Sequence, residues 1–147
     1  QLIWQTGKTD YKNILAETEA LQCRNLRIAE FIKNMEMAYS AADIIVSRAG
    51  AIAISELAVA KKPVLLVPFP FAAEDHQTKN ALTLVEKNAA RMVRDTEMKD
   101  KFWSTLTEIS DNENLRKEMS ENLAFFAKPM ATEEIVNEIL ATVNIKS

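Results

Sequence analysis

The chain has 147 residues, 48% of them apolar and 27% charged, with 18 basic against 21 acidic side chains and a net charge of −3. These values fit one globular domain with a substantial core and lack the cationic surplus that phosphate-backbone binding requires, so nucleic acid is not an expected partner. Two glycines stand where average usage gives about ten, which excludes G-x-G-x-x-G and Walker loops, and a single cysteine (Cys23) and a single histidine (His76) exclude an internal disulfide and leave zinc sets without ligands.

The opening Leu2-Ile3-Trp4 follows Gln1 rather than Met and reads as the interior of a fold, so a piece of a longer protein is expected. Leu2 to Gln5 forms a short apolar run, and helical spacing through Tyr11, Ile14, Leu15 and Thr18 predicts a helix over 10–21. A second strand is expected over 26–31, followed by a helix capped by Asn34 with Met35, Ala38, Tyr39 and Ala42 on its apolar side. The β-branched Ile44-Ile45-Val46 predicts a third strand, and beyond Gly50 a helix places Ile54, Leu57, Ala58 and Lys61 on one face.

The longest apolar stretch, 63–73, holds three prolines and falls short of the ~20 residues that span a bilayer. Its wholly apolar part, 64–67, predicts a central strand covered on both faces. Asp75 is placed to cap a helix running to about 87, a last short strand follows over 90–93, and two or three helices fill 96–146 with Asn112 and Thr132 as caps. The interleaved charges around Arg91, Arg94, Asp95, Glu97, Lys99, Asp100 and Lys101 read as a solvated face. Strands alternating with helices define an α/β protein with a parallel sheet, whose ligands meet the carboxyl ends of the strands.

Two segments sit at that edge. In Ser47-Arg48-Ala49-Gly50-Ala51-Ile52-Ala53-Ile54-Ser55-Glu56 a strand ends in a turn and a helix begins at once, so unpaired backbone N–H groups and a partial positive charge can receive a diphosphate without a glycine-rich loop. Glu56 lies one turn beyond Ile52, where a carboxylate can accept from two ribose hydroxyls. The same letters also fit an ordinary strand–turn–helix with a solvated glutamate. In the second segment, Pro68 to Asn80, a proline-stiffened loop enters a helix whose His76, Gln77 and Asn80 can point together at the ligand edge; they equally fit an exposed helix start. Phe31-Ile32, with Met35 one turn on, could wall an aromatic base or simply join the core.

Taken in order, Phe31-Ile32-Lys33-Asn34-Met35, Ser47-Arg48-Ala49-Gly50-Ala51, Ser55-Glu56-Leu57, Pro68-Phe69-Pro70 and Asp75-His76-Gln77-Thr78-Lys79-Asn80-Ala81 resemble the MurG-type glycosyltransferases of peptidoglycan synthesis over most of residues 1–141. The resemblance implies the Rossmann-like C-terminal, nucleotide-sugar-binding half of a two-domain GT-B fold. It implies an inverting transfer of N-acetylglucosamine from UDP-N-acetylglucosamine to lipid I, the undecaprenyl-diphosphate-linked muramyl pentapeptide, giving lipid II. By the same resemblance Ile32 would contact uracil, the backbone of Ala51, Ile52, Ala53, Ile54 and Ser55 would face the diphosphate, Glu56 would hold the ribose, and His76, Gln77 and Asn80 would address the sugar. No cofactor and no metal are implied.

The catalytic base, the lipid I site and the main membrane-facing patch would belong to an N-terminal domain outside this chain, so no catalytic residue is assigned here and residues 1–147 alone are expected to be inactive. A serine-glycine turn of the family would precede Gln1, and Lys62 replaces a glycine common before Pro63. A peripheral place on the cytoplasmic face of the inner membrane follows from the same resemblance. Two other functions compete: a related glycolipid synthase using another UDP-sugar, and a non-catalytic nucleotide-binding or interaction module.

Overall fold

The computed structural model describes residues 1–19 and 21–144, which fall into two compact units dividing after Ala41. In the first, β1 (Leu2–Gln5), α1 (Tyr11–Glu19), β2 (Leu26–Ala29) and α2 (Met35–Ala41) follow one another. β1 and β2 are parallel, in register from Leu2 beside Leu26 to Gln5 beside Ala29. A parallel return requires a crossover, and α1 supplies it. The chain leaves β1 through Gly7, whose φ of +77° is a backbone state that glycine reaches without a Cβ clash.

Several boundaries here differ from the sequence reading. Asp10 stands outside α1, with its carbonyl accepting from the Ile14 N–H, and Leu21 lies in the turn beyond; position 20 of the expected helix lies outside the described residues. β2 stops at Ala29 because the next carbonyl, Glu30, is taken by Gly7 N–H at 3.2 Å, and Phe31 turns out to solvent. Asn34 does cap α2: its Oδ1 accepts from Met37 N–H at 3.1 Å.

The second unit contains β3 (Ile45–Ser47), α3 (Ala51–Ala60), β4 (Val64–Leu66), α4 (His76–Val85), β5 (Arg91–Met92), α5 (Met98–Asp111), α6 (Glu113–Ala124) and α7 (Ala131–Asn144). Its sheet has the order β3-β4-β5, with both pairings parallel. β4, expected from its apolar run to be central and covered, is central and wholly buried. Leu65 packs with Val93, Ile109, Leu115 and Met119, and Met98, Phe102 and Leu106 of the α5 side close over them. Truncating a side chain so enclosed costs about 2–5 kcal/mol, which makes this cluster the anchor of the unit. The helical spacing of α6 follows from the same requirement, since its buried positions Leu115, Met119 and Leu123 recur every fourth residue.

The strands are parallel as expected, β1 with β2 in the first unit and β3-β4-β5 in the second. Several expectations are corrected in the second unit. β3 begins at Ile45 and takes in Ser47, whose carbonyl receives Val67 N–H at 2.8 Å, while Val67 itself lies past the end of β4. Lys61 leaves the α3 face and becomes its left-handed C-cap, φ 53°, donating its N–H to Leu57 O. Asp75 does not cap α4 through its side chain. It and Glu74 adopt left-handed backbone angles, φ 57° and 48°, at the end of a 3-10 turn that delivers the chain to His76. Thr132 is already inside α7, one residue past its start.

Asn112 caps α6, its Oδ1 accepting from Leu115 N–H at 2.9 Å. α4 ends at Val85, two residues before the expected point, and β5 covers only the middle of 90–93. Of the expected 96–146 span, 145–146 lie outside the described residues. Among those described, no helix is long and apolar enough to cross a membrane.

Candidate functional site

The carboxyl ends of β3, β4 and β5 lead into the α3 turn, the loop over 67–75 and the segment beginning at Arg94. At the first, Gly50 is the N-cap of α3 in an extended conformation, φ −67° and ψ 149°, with no side-chain cap. The Ile54 N–H closes on Gly50 O at 2.9 Å. The N–H groups of Ala51, Ile52 and Ala53 therefore precede any helix carbonyl that could accept them, and their dipoles add at the helix start. A Cβ built on Gly50 would meet nothing within 4 Å, so the space immediately beside the cap residue is open.

The ten residues that the resemblance assigns to the donor divide as follows. Ala51, Ile52 and Ala53 supply the open amides, whereas Ile54 has its amide bonded and Ser55 turns its hydroxyl back to Ala51 O at 3.1 Å. Ile52 is 79% exposed, and Glu56, one turn on, is also exposed. Ile32 belongs to the first unit, half-buried after β2, with its N–H held by Gln5 Oε1 at 2.8 Å. The other nine stand in the second unit.

His76, Gln77 and Asn80 begin α4, and their side chains go to different partners. His76 Nε2 lies 3.5 Å from Glu74 Oε2, both well exposed. Gln77 Oε1 accepts from two backbone donors, Ala49 N–H at 3.1 Å and Phe69 N–H at 3.0 Å. Asn80 Nδ2 donates to Ala49 O at 3.1 Å. These bonds fix which end of each amide is oxygen and which nitrogen, because only an acceptor can meet two N–H groups. They also mean that α4 grips both backbone groups of Ala49, a fully buried residue immediately before the α3 cap. Gln77 and Asn80 thus brace the turn before α3 through one end of each amide.

Sequence reasoning passed over one side chain. Arg48 Nη1 donates to the carbonyls of Val67 and Pro68, each at 3.2 Å, and pairs with Asp95 Oδ1 at 2.7 Å. Its guanidinium carbon also lies 5.5 Å from the Phe69 ring centre. Asp95 is accordingly an ion-pair partner at the site edge rather than part of a merely solvated charge run. Elsewhere in that run Arg91 meets Glu108 at 3.2 Å and Lys101 bonds Glu97 one turn away, holding the Glu97 carboxyl below its usual pKa.

Parallel strands alternating with helices place the chain among the α/β proteins whose ligands meet the carboxyl edge of the sheet. The chain belongs to the glycosyltransferase family 28 C-terminal domain family, whose sequence profile matches residues 1–135. It is 44% identical over 144 residues to a UDP-N-acetylglucosamine–N-acetylmuramyl-(pentapeptide) pyrophosphoryl-undecaprenol N-acetylglucosamine transferase of Cytophaga hutchinsonii, covering 98% of this chain and 38% of the relative. A transferase of the same description from Bacteroides thetaiotaomicron is 46% identical over 142 residues, covering 95% and 38%. The crystal structure of Acinetobacter baumannii MurG superposes with a TM-score of 0.81 at 31% identity, covering 95% of this chain and 42% of that one. The chain therefore spans about two fifths of the length of the relatives it matches.

Proposed function

We propose that these residues are the donor-binding part of an inverting glycosyltransferase that moves N-acetylglucosamine from UDP-N-acetylglucosamine to lipid I. The observation that carries this reading is the α3 start: three N–H groups that precede any helix carbonyl, an N-cap residue with open space beside it and no side-chain cap, and a carboxylate, Glu56, one turn further on. Diphosphate oxygens accept from such donors, and the helix dipole stabilises the negative charge that grows on the leaving UDP as the glycosidic bond breaks. Inversion follows when the acceptor hydroxyl attacks the anomeric carbon from the face opposite the diphosphate. The base that takes its proton would come from outside residues 1–147.

In this reading Glu56 accepts from ribose hydroxyls, Ile32 meets the uracil, and His76 with the open ends of the Gln77 and Asn80 amides meets sugar hydroxyls. UDP-N-acetylglucosamine is a substrate, and the reading needs no cofactor or metal and no nucleic acid. Lipid I would be held by the partner domain, with the protein seated peripherally on the cytoplasmic face of the inner membrane. The family relationship supports the glycosyltransferase reading over a non-catalytic module.

UDP should raise the melting temperature of the protein, because a ligand that binds only the native state stabilises it, and ATP should do so much less. Equal shifts with UDP and ATP would remove the uridine assignment.

A further inference from the structure

We propose that Arg48 is a positioning residue of the donor site, fixing the start of the 67–75 loop against the α3 turn and against the segment after β5. The proposal rests on the donor reading above. Arg48 stands at the end of β3, between Ser47 and the buried Ala49. From there one guanidinium nitrogen reaches the two carbonyls that close β4, Val67 and Pro68, and the Asp95 carboxylate that follows β5. All three strand ends thus meet at one side chain.

The next residue of the loop, Phe69, lies under the guanidinium and gives its N–H to Gln77 Oε1, which also holds Ala49 N–H. Arg48 and Gln77 therefore tie the same two segments together. One segment ends in the open amides of Ala51 to Ala53; the other runs on to His76 at the head of α4. Half-exposed ion pairs add little to global stability, and the Arg48 and Asp95 side chains are 50% and 41% exposed, so the consequence of the arrangement is placement. Donor hydrogen bonds that act on a phosphate lose strength steeply when they are displaced. A lysine keeps the charge but not the flat guanidinium surface over Phe69, so it replaces the grip only in part.

The test uses the intact protein, with UDP-N-acetylglucosamine as donor and a lipid I analogue as acceptor. Arg48→Met should raise the donor KM and the inhibition constant of UDP about tenfold while leaving the acceptor KM unchanged. Arg48→Lys should fall between it and the wild type. In an Asp95→Asn background the Arg48→Met penalty should shrink, because part of the grip is already gone. Exchange of the Phe69 amide and of those over 71–75 should quicken in Arg48→Met without any ligand present.

An unchanged donor KM in a folded Arg48→Met protein overturns the proposal, as does a parallel rise of donor and acceptor KM with a lowered melting temperature. Should Arg48→Met fail to fold, Asp95→Asn decides: a donor-specific rise of about threefold supports the role and its absence overturns it. A wild-type protein that takes no UDP-sugar refutes the donor reading itself, an outcome separate from any difference between variant and wild type.

Discussion

Replacing Gln77 by leucine removes one oxygen and strands two donors. Ala49 is fully buried, so its N–H would lose its acceptor with no water to replace it, at a cost of about 1–3 kcal/mol. Phe69 is 42% exposed, and its N–H can turn to water, so that loss is nearer the ordinary net value of about 0.5–1.5 kcal/mol. Gln77→Leu should therefore destabilise the second unit by about 2–4 kcal/mol, or roughly 6–12 °C in melting temperature for a chain of this size. Gln77→Glu keeps an acceptor at the same reach and strengthens both bonds by its charge, so it should melt close to the wild type. Paired thermal melts, with amide exchange at Ala49 and Phe69 to localise the effect, make the comparison. If leucine melts within a degree or two of glutamine, or glutamate is as damaging as leucine, the two-donor bond does not hold the turn as described.

Glu56→Ala in the intact protein should weaken UDP-N-acetylglucosamine by one to two decades, the worth of charge-assisted bonds of roughly 1.5–3 kcal/mol, and the penalty should vanish with a 2′,3′-dideoxyribose donor. Equal penalties with both donors, measured by calorimetry, would mean that Glu56 supports the helix instead of reading the ribose. Glu97, held below its usual pKa chiefly by its hydrogen bond from Lys101, stabilises the folded state above its unfolded pKa. That contribution is lost as pH falls through the depressed folded pKa. Carboxyl NMR should show Lys101→Met moving the Glu97 midpoint upward, and added salt should narrow the difference between the two proteins; an unmoved midpoint rejects the Lys101 assignment.

What the sequence disclosed was whatever is written locally. The apolar run of β4, the four-residue spacing of α6 and the Asn34 and Asn112 caps each act within a few positions, so periodicity and residue type exposed them. Asp75 occupies the N-cap position of α4 as its type suggests, but it and Glu74, both exposed, take left-handed conformations in a 3-10 turn that neither glycine nor asparagine announces, and its side chain makes no cap hydrogen bond. Arg48 escaped for a different reason. Its partners lie 19, 20 and 47 positions away, on the ends of two other strands, and only folding brings them together. The helix-start site was visible as a possibility, but spacing could not tell that Gln77 and Asn80 would both turn to Ala49.

The grip of α4 on Ala49 limits how the sugar preference of such a domain can be redesigned. Gln77 and Asn80 each have one end of the amide turned away from that grip, yet any replacement chosen to suit a new sugar also rewrites the bonds that set the neighbouring helix start. On the proposed donor reading, libraries that randomise these two positions should thus lose affinity for UDP along with the sugar. His76 and the exposed loop residues Phe71 and Glu74 make none of the hydrogen bonds to Ala49, so on the same reading they can be varied while the turn before α3 keeps its bonds.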